Sequence, residues 1–484
     1  MILIVDFVYA SQNGVLENFL NDIALEAKIE FFITKSGNTI SLHTRAEEET
    51  LKSFAEDLAV KLPHSIFLRT TSARVSENWE SQKAITVQQI EIELPITPKL
   101  LAEAKNSANA EIDAIAERLT NNEIIATDYG YTVQLLSDRE FDHSAVIVPS
   151  DIALIAKYAV VKDEEIAALA SLERPIVTLP ANMIFSAKYP NVPKLIRVAL
   201  AGDIFLYQLL ERLGAANVDE VVLTNYNHIE VRPLSRQNLV LNRNNFCAPQ
   251  LLKELGNIKE PHYNQFASAL IENDLTNSSA IGVYLSRKNS DFIMFNSQKT
   301  GVVDLVKLEI AENMQTIFDR IGAIDENSAK LIDRYTQTEH YNAIKDDKFL
   351  GAEQSIYTLW TIAAKIIGIS IGALEELIAF SSTPKGPRID YKIENGRIDP
   401  YRFLRSVISY LTADVDRELI AFGIVESLVF AISDLLDTLL VGDYNTKSII
   451  LCGSLFSNKT LSEMSIKHIS PNYTVLFNNE LPID

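Results

Sequence analysis

Cysteine is almost absent from this chain. Its 484 residues hold two, Cys247 and Cys452, far apart and in no CxxC pair. That leaves no basis for a thiolate zinc site or an iron–sulfur cluster. Such low usage fits a reducing, cytoplasmic compartment. Clusters of cations are lacking too. Lys and Arg number 44 against 64 Asp and Glu, a net charge of −20. No basic run alternates with aromatics, so nucleic acid and anionic membrane are poor main partners. His228, His340 and His468 stand apart with no metal-ligand spacing, and no metal is expected. The start meets Asp6 early and has no basic region before it, unlike a signal peptide. No run of about 18 uncharged apolar residues occurs, so no spanning helix is expected. Low-complexity tracts are missing, and a 22% charged fraction speaks against long disorder.

What is present is ample core material. Hydrophobic residues make up 47%, and the length exceeds what one core serves, so about two to four domains are expected. "ILIVDFVYA" is strand-like. "LENFLNDIALEA" carries apolar residues at helical spacing. "KIEFFITKSGNTISLHT" is two strands around Lys35-Ser36-Gly37-Asn38, a hairpin signal. "AEEETLKSFAEDLAVKLP" is a second helix, and "HSIFLRTTSARV" a closing strand. The order β-α-β-β-α-β is that of a ferredoxin-like split fold. A mostly helical "ITPKLLAEAKNSANAEIDAIAERLTNN" follows. Short apolar runs come next, "EIIATDYGYTVQLLS", "SAVIVPSD", "RPIVTLP" and "IRVALAG", marking a second α/β domain. The third region gives a strand pair, "SAIGVYLSRKNSDFIMFN", then long helices. These include "SIYTLWTIAAKIIGI", the apolar helix "IIGISIGALEELIAF" and the stretch from Asp399 to Gly442. Long helices beside a mixed sheet suggest an actin-like arrangement. Asp434 and Asp437, three apart on a helix, are expected to face solvent.

Near the C-terminus, "SIILCGSLFSNKTLSE" reads as a buried strand, a tight turn and a helix start. Free backbone N–H groups and the helix dipole at such a turn can hold a phosphate. Gly453, Ser454 and Asn458 are therefore the candidate cofactor-binding residues. Small residues are also what any strand-to-helix turn needs, so the signal is not specific alone.

Several segments, in order, resemble the HypF-type hydrogenase maturation carbamoyltransferases. Cys452 to Asn458 resembles that family's "SGGVFQN". "VLFNNELPID" resembles its "vPpnD" segment. "RPIVTL" (Arg174 to Leu179) resembles its YrdC-like "RPIVLL", and "LTNNEIIATDYGYTVQL" its "L..G.IVAiKG.GGFhL". "LENFLNDIALEAKIEFFITKSGN" resembles the segment starting at the acylphosphatase "GFRPFV". The resemblance implies an α/β multidomain chain. Residues 1–80 would form an acylphosphatase-like ferredoxin fold and 95–240 a YrdC-like domain. Residues 241–484 would form a Kae-like domain of actin-like ATPase type. The family's zinc-finger insert has no counterpart.

The residues that would do the family's chemistry are changed throughout. Acylphosphatase chemistry needs an Arg on the phosphoryl oxygens and an Asn on the attacking water. Those positions read Glu17, and Ile33 or Thr34. The YrdC-like lysine falls on Thr127 or Asp128, while Gly130 and Tyr131 persist as a turn. Each lost cation removes a charge-assisted hydrogen bond of roughly 1.5–3 kcal/mol. The Kae-like metal run "HHHAH" falls on Pro261 to Gln265 and keeps only His262. The "DGTGYG" loop falls on Ser286 to Asp291 without its glycines. "SSAGRLFDA" falls on Gln354 to Thr361, keeping the apolar Leu359 and Trp360.

Core positions keep their type while phosphate, metal and carbamoyl positions do not. No catalytic residue is therefore assigned. Some hydrogenase operons encode a HypF-like accessory protein, and the chain resembles that type. The reading is a non-catalytic accessory factor for nickel–iron hydrogenase maturation. Its expected partners are the hydrogenase large subunit or other maturation factors. The alternative is a divergent carbamoyltransferase with ATP, the one candidate cofactor, on the Gly453 turn. The loop 382–402 reads as a surface connector.

Overall fold

The computed structural model describes residues 1–87, 96, 101, 104, 109–137, 144–242, 246–247, 255–256, 258–298, 301–349, 351–380, 385–394, 396–441 and 444–483. Parts of four expected segments lie outside these residues: the helical run after Ile96, the stretch 138–143, the loops at 243–257, and the loop 382–402 at 382–384 and 395. The described chain divides into two units, Met1–Glu254 with Asn479–Pro482, and Leu255–Asn478 with Ile483–Asp484.

The first unit begins with β1 (Ile2–Tyr9), β2 (Glu30–Ser36), β3 (Thr39–Arg45) and β4 (Leu68–Ser76), joined in the sheet order β2-β3-β1-β4. Every neighbouring pair is antiparallel. Helices Val15–Glu26 and Glu48–Lys61 fall between the strands, completing the expected β-α-β-β-α-β order. Strand alternation turns Val5, Phe7 and Tyr9 inward. They join Leu16, Leu20, Leu51, Phe54 and Leu58 of the two helices in one buried cluster.

The same unit carries an eight-stranded mixed sheet of β5 (Ile125–Ala126), β6 (Thr132–Gln134), β7 (Val146–Pro149), β8 (Ile176–Pro180), β9 (Leu195–Val198), β10 (Glu220–Thr224), β11 (Glu230–Pro233) and β12 (Asn238–Val240). Its order is β12-β11-β8-β9-β7-β10-β6-β5. β7 is buried along its length. Val146 and Val148 pack with helices Ala110–Thr120 and Ile204–Ala215, while Ile147 belongs to the opposite cluster. A strand buried on both faces reads as a continuous apolar run, as "AVIVP" does.

The second unit holds β13 (Ala280–Tyr284), β14 (Phe292–Ser297), β15 (Gly301–Leu308), β16 (Ile393–Glu394), β17 (Arg397–Ile398), β18 (Ser448–Cys452) and β19 (Thr474–Leu476). The order is β16-β17-β15-β14-β13-β18-β19. β13, β14 and β15 form an antiparallel meander; β18 runs parallel to β13, and β19 parallel to β18. Three meandering strands followed by two parallel ones make the sheet of an actin-like module.

Two expected helices are broken. "IIGISIGALEELIAF" splits at Gly368 (φ 73°). Helix Ile356–Ile366 ends before it and helix Ile371–Phe380 starts after it, with Ser370 Oγ accepting from Ala373 N. The stretch after Asp399 splits at Asp414 (φ 59°) into helices Pro400–Thr412 and Arg417–Val441. The second of these is long and apolar enough to cross a membrane by length and composition, against the sequence expectation. Ile420, Ile424, Leu428, Val429 and Leu436 are nevertheless buried in the protein, as in a core helix. Asp434 and Asp437 are both exposed, as expected, and Asp437 also accepts from Tyr473 Oη.

An extended segment from Lys385 crosses this helix at Gly423. There a Cβ would stand 2.4 Å from Pro387 O. Gly-to-Ala inside a helix ordinarily gains about 1 kcal/mol. Here Gly423→Ala should instead lower the unfolding free energy by about 1–3 kcal/mol, the cost of overpacking. Urea unfolding measures it; a more stable variant would contradict the crossing.

Candidate functional site

The candidate site of the second unit forms where β13 and β18 end. Parallel neighbours put their following loops side by side, at the edge where open α/β sheets place ligands. Leu285 N donates to Cys452 O (3.0 Å), and Leu455 N to Leu285 O (3.0 Å). The backbone turns at Gly453 (φ 94°, ψ 151°). A Cβ there would meet Leu285 O at 2.4 Å, so glycine is required both by φ and by space. A short 3-10 turn, Ser454–Ser457, then leads into helix Lys459–Ile469. Asn458 caps that helix, its Oδ1 accepting from Leu461 N (3.2 Å).

Several amides of the turn are spent inside it. Phe456 N donates to Gly453 O (3.1 Å) and Asn458 N to Leu455 O (3.0 Å). Ser454 Oγ accepts from Arg287 N (2.9 Å). The Arg287 guanidinium donates to Ser454 O and Ser457 Oγ. It also forms an ion pair with Glu375 (2.6 Å) and stands over the Tyr357 ring at 5.9 Å. Arg287 and Glu375 are each partly buried. Gly453, Ser454 and Asn458 are thus brought together, and an internal cation fills the space beside them.

Sequence reasoning missed Arg287 and Glu375 as site residues. The available signals were a charged run, "SRKNSD", directly after a buried strand, and Glu375 in an otherwise apolar helix. It also missed Asp291. This carboxylate accepts from Ser286 N (2.9 Å) and Ile356 N, so it ties the loop after β13 to helix Ile356–Ile366. The segments aligned with "DGTGYG" and "SSAGRLFDA" therefore do meet. Burial pushes the Asp291 carboxyl up to about 8, against the two N–H bonds that pull it down.

The remaining predicted positions serve packing. His262 stacks on Phe292 (centroids 3.7 Å), and burial lowers its pKa. Pro261 opens helix Pro261–Glu272, and Gln265 is buried on it. Among the described residues no group of three or more His, Cys, Asp and Glu could hold a metal ion.

In the first unit, Glu17 pairs with Lys35 at 2.7 Å. It sits in the first turn of its helix, where the dipole favours an anion. Ile33 is buried in the core, and Thr34 Oγ1 contacts His43 Nε2 (3.1 Å). The loop after β1 holds a carboxylate. Glu480 of the segment Asn479–Pro482 is buried, and its Oε2 accepts from Ser11 Oγ and from Gln12 N (3.1 Å). Thr127 bonds Tyr131 across the Gly130 turn. Tyr131 Oη donates to Asp203 (2.8 Å), and its ring meets Tyr226 edge-on (5.2 Å). Arg174 donates to Ala201 O (2.9 Å). His228 Nε2 contacts Glu173 O (2.9 Å).

A ferredoxin-like sheet, a mixed α/β sheet and an actin-like sheet on one chain define a multidomain α/β protein of acylphosphatase-like, YrdC-like and actin-like parts. The family model for the carbamoyltransferase, Kae1-like domain, second subdomain matches residues 368–484. Protein HydE of Wolinella succinogenes is 24% identical over 501 residues, covering 90% of this chain and 91% of its own. The crystal structure of T. kodakarensis HypF superposes with a TM-score of 0.68 at 13% identity, over 100% of this chain and 96% of that one. Full-length HypF in its phosphate- and nucleotide-bound form gives 0.59 at 12% identity, with the same coverage. The chain therefore shares the HypF fold along its length, and its residues 368–484 match the carbamoyltransferase subdomain.

Asp291 carries a pH test. A carboxyl raised from 3.8 in the unfolded chain to about 8 on folding contributes stability that is complete below about pH 4. That contribution is lost as pH rises through about 8. The unfolding free energy of wild type minus Asp291→Asn should fall with pH across this window, by on the order of 1 kcal/mol per pH unit. A pH-independent difference would contradict the assignment.

Proposed function

We propose that the chain is a non-catalytic accessory factor in nickel–iron hydrogenase maturation. It would act by docking the hydrogenase large subunit or another maturation factor, in the cytoplasm. The observation that carries this reading is Arg287. Its guanidinium, neutralised by Glu375, bonds Ser454 O and Ser457 Oγ where a nucleotide phosphate would need open donors. A phosphate placed there would have to displace an internal ion pair and several hydrogen bonds. The residues present therefore do not fit ATP. The same substitution of internal partners for ligand contacts recurs at Glu17–Lys35. The division into 1–80, 95–240 and 241–484 belongs to the same reading. So does the absence of the zinc fingers between the first two parts.

The divergent ATP-dependent carbamoyltransferase is the second reading. One observation favours it, the match of 368–484 to a carbamoyltransferase subdomain. Gly453 is unsuited to a test, because any side chain there distorts the turn. Ser454→Ala keeps the backbone and removes the hydroxyl that a phosphate site would use. In cells whose hydrogenase activity depends on this gene, the folded S454A and Arg287→Met proteins should restore activity to near the wild-type level. Loss of activity with the folded S454A protein would favour the enzyme.

A further inference from the structure

In a chain of net charge −20, one cavity is lined by cations and, among the described residues, by no carboxylate. It measures about 420 Å³ and lies between helices Glu326–Tyr335 and Pro400–Thr412. Lys330 and Arg334 come from the first helix and Arg405 from the second. Asn327, Ser409 and Tyr410 add polar groups to the wall.

These cations are incompletely satisfied. Arg405 Nε is shielded from solvent and has no acceptor; its Nη2 reaches Asp325 only at 3.5 Å. Buried donors are ordinarily paired, so the Arg405 guanidinium is left with its charge incompletely compensated. Lys330 pairs with Glu326 at 2.6 Å, but both side chains are mostly exposed, which leaves that pair weak. Arg334 lies exposed on the same helix face. At i and i+4, Lys330 and Arg334 repel. Placing a third cation, Arg405, in the same concavity adds to that repulsion. An anion bound among them would relieve it.

We propose that this cavity binds a small polyanion with adjacent phosphate groups. Guanidinium forks match phosphate oxygens in pairs. The volume falls in the range of small-molecule sites, about 300–1,000 Å³, which favours a compact ligand over a protein segment. The site is separate from the Gly453 turn and shares no residue with it.

The test is calorimetric titration of the full chain with inorganic pyrophosphate. Saturable 1:1 binding is expected, weakening as salt screens the charges. The double variant Lys330→Ala/Arg334→Ala should weaken it by at least about tenfold, and Arg405→Gln should weaken it as well. The first two residues are exposed, so their removal leaves the core intact; the unfolding midpoint checks each fold. No saturable binding would overturn the proposal. So would binding that the double variant leaves unchanged, since the ion would then sit elsewhere. Binding of a poly-Glu peptide without pyrophosphate binding would overturn the small-ligand assignment in favour of a protein partner.

Discussion

The parallel pairing of β13 with β18 is the constraint on which the candidate site depends. It ends in two backbone bonds, Leu285 N to Cys452 O and Leu455 N to Leu285 O. These bring Gly453 so near Leu285 that no Cβ fits between them. The loop after β13 must then run beside the turn after β18. Arg287 is placed, by that proximity alone, within reach of Ser454 and Ser457. Glu375 supplies the counter-charge, and Asp291 fixes the loop's far end to the next helix. In another sequence this geometry could present amides to a phosphate. Here the amides of Leu455, Phe456 and Asn458 bond to the chain itself.

The same logic appears in the first unit. A carboxylate at Glu17 would repel phosphate; here its Oε1 pairs with Lys35 at a helix N-terminus, while its Oε2 is buried without a partner. Beyond β1, the loop at Ser11 and Gln12 bonds the Glu480 carboxylate. In the mixed sheet the turn at Gly130 survives, while Tyr131, Tyr226 and Asp203 pack and bond to one another. Charged and polar groups in such places need partners once they are desolvated. Supplying those partners from within the chain favours a stable, rigid shape over an exchangeable ligand.

Much of the fold was legible because its signals are local. Alternation in "ILIVDFVYA" and the hairpin at Gly37 mark strands that pair with near neighbours. The unbroken apolar run at β7 marks a strand buried on both faces. The helix breaks were not legible: Gly368 sits in an apolar run and Asp414 in a mixed, charged one between two helical patterns, and a positive φ marks each break. The apolar helix Arg417–Val441 was likewise underestimated, because its charges are few and widely spaced. Within the candidate site, the Gly453 turn was readable as strand, turn and helix start. Its occupant was not. Arg287 meets Ser454 across 167 residues and Glu375 across 88. Glu480 meets Ser11 across 469. No periodicity reports contacts of that separation.

The most direct measurement is release of AMP and pyrophosphate when the purified chain is given Mg-ATP and carbamoyl phosphate. A chain whose turn is filled by Arg287 and whose aligned catalytic residues are replaced should give no release above background. Sustained, protein-dependent release would contradict the account, since the ion pair at Glu375 would then have to open and the turn serve as a phosphate site.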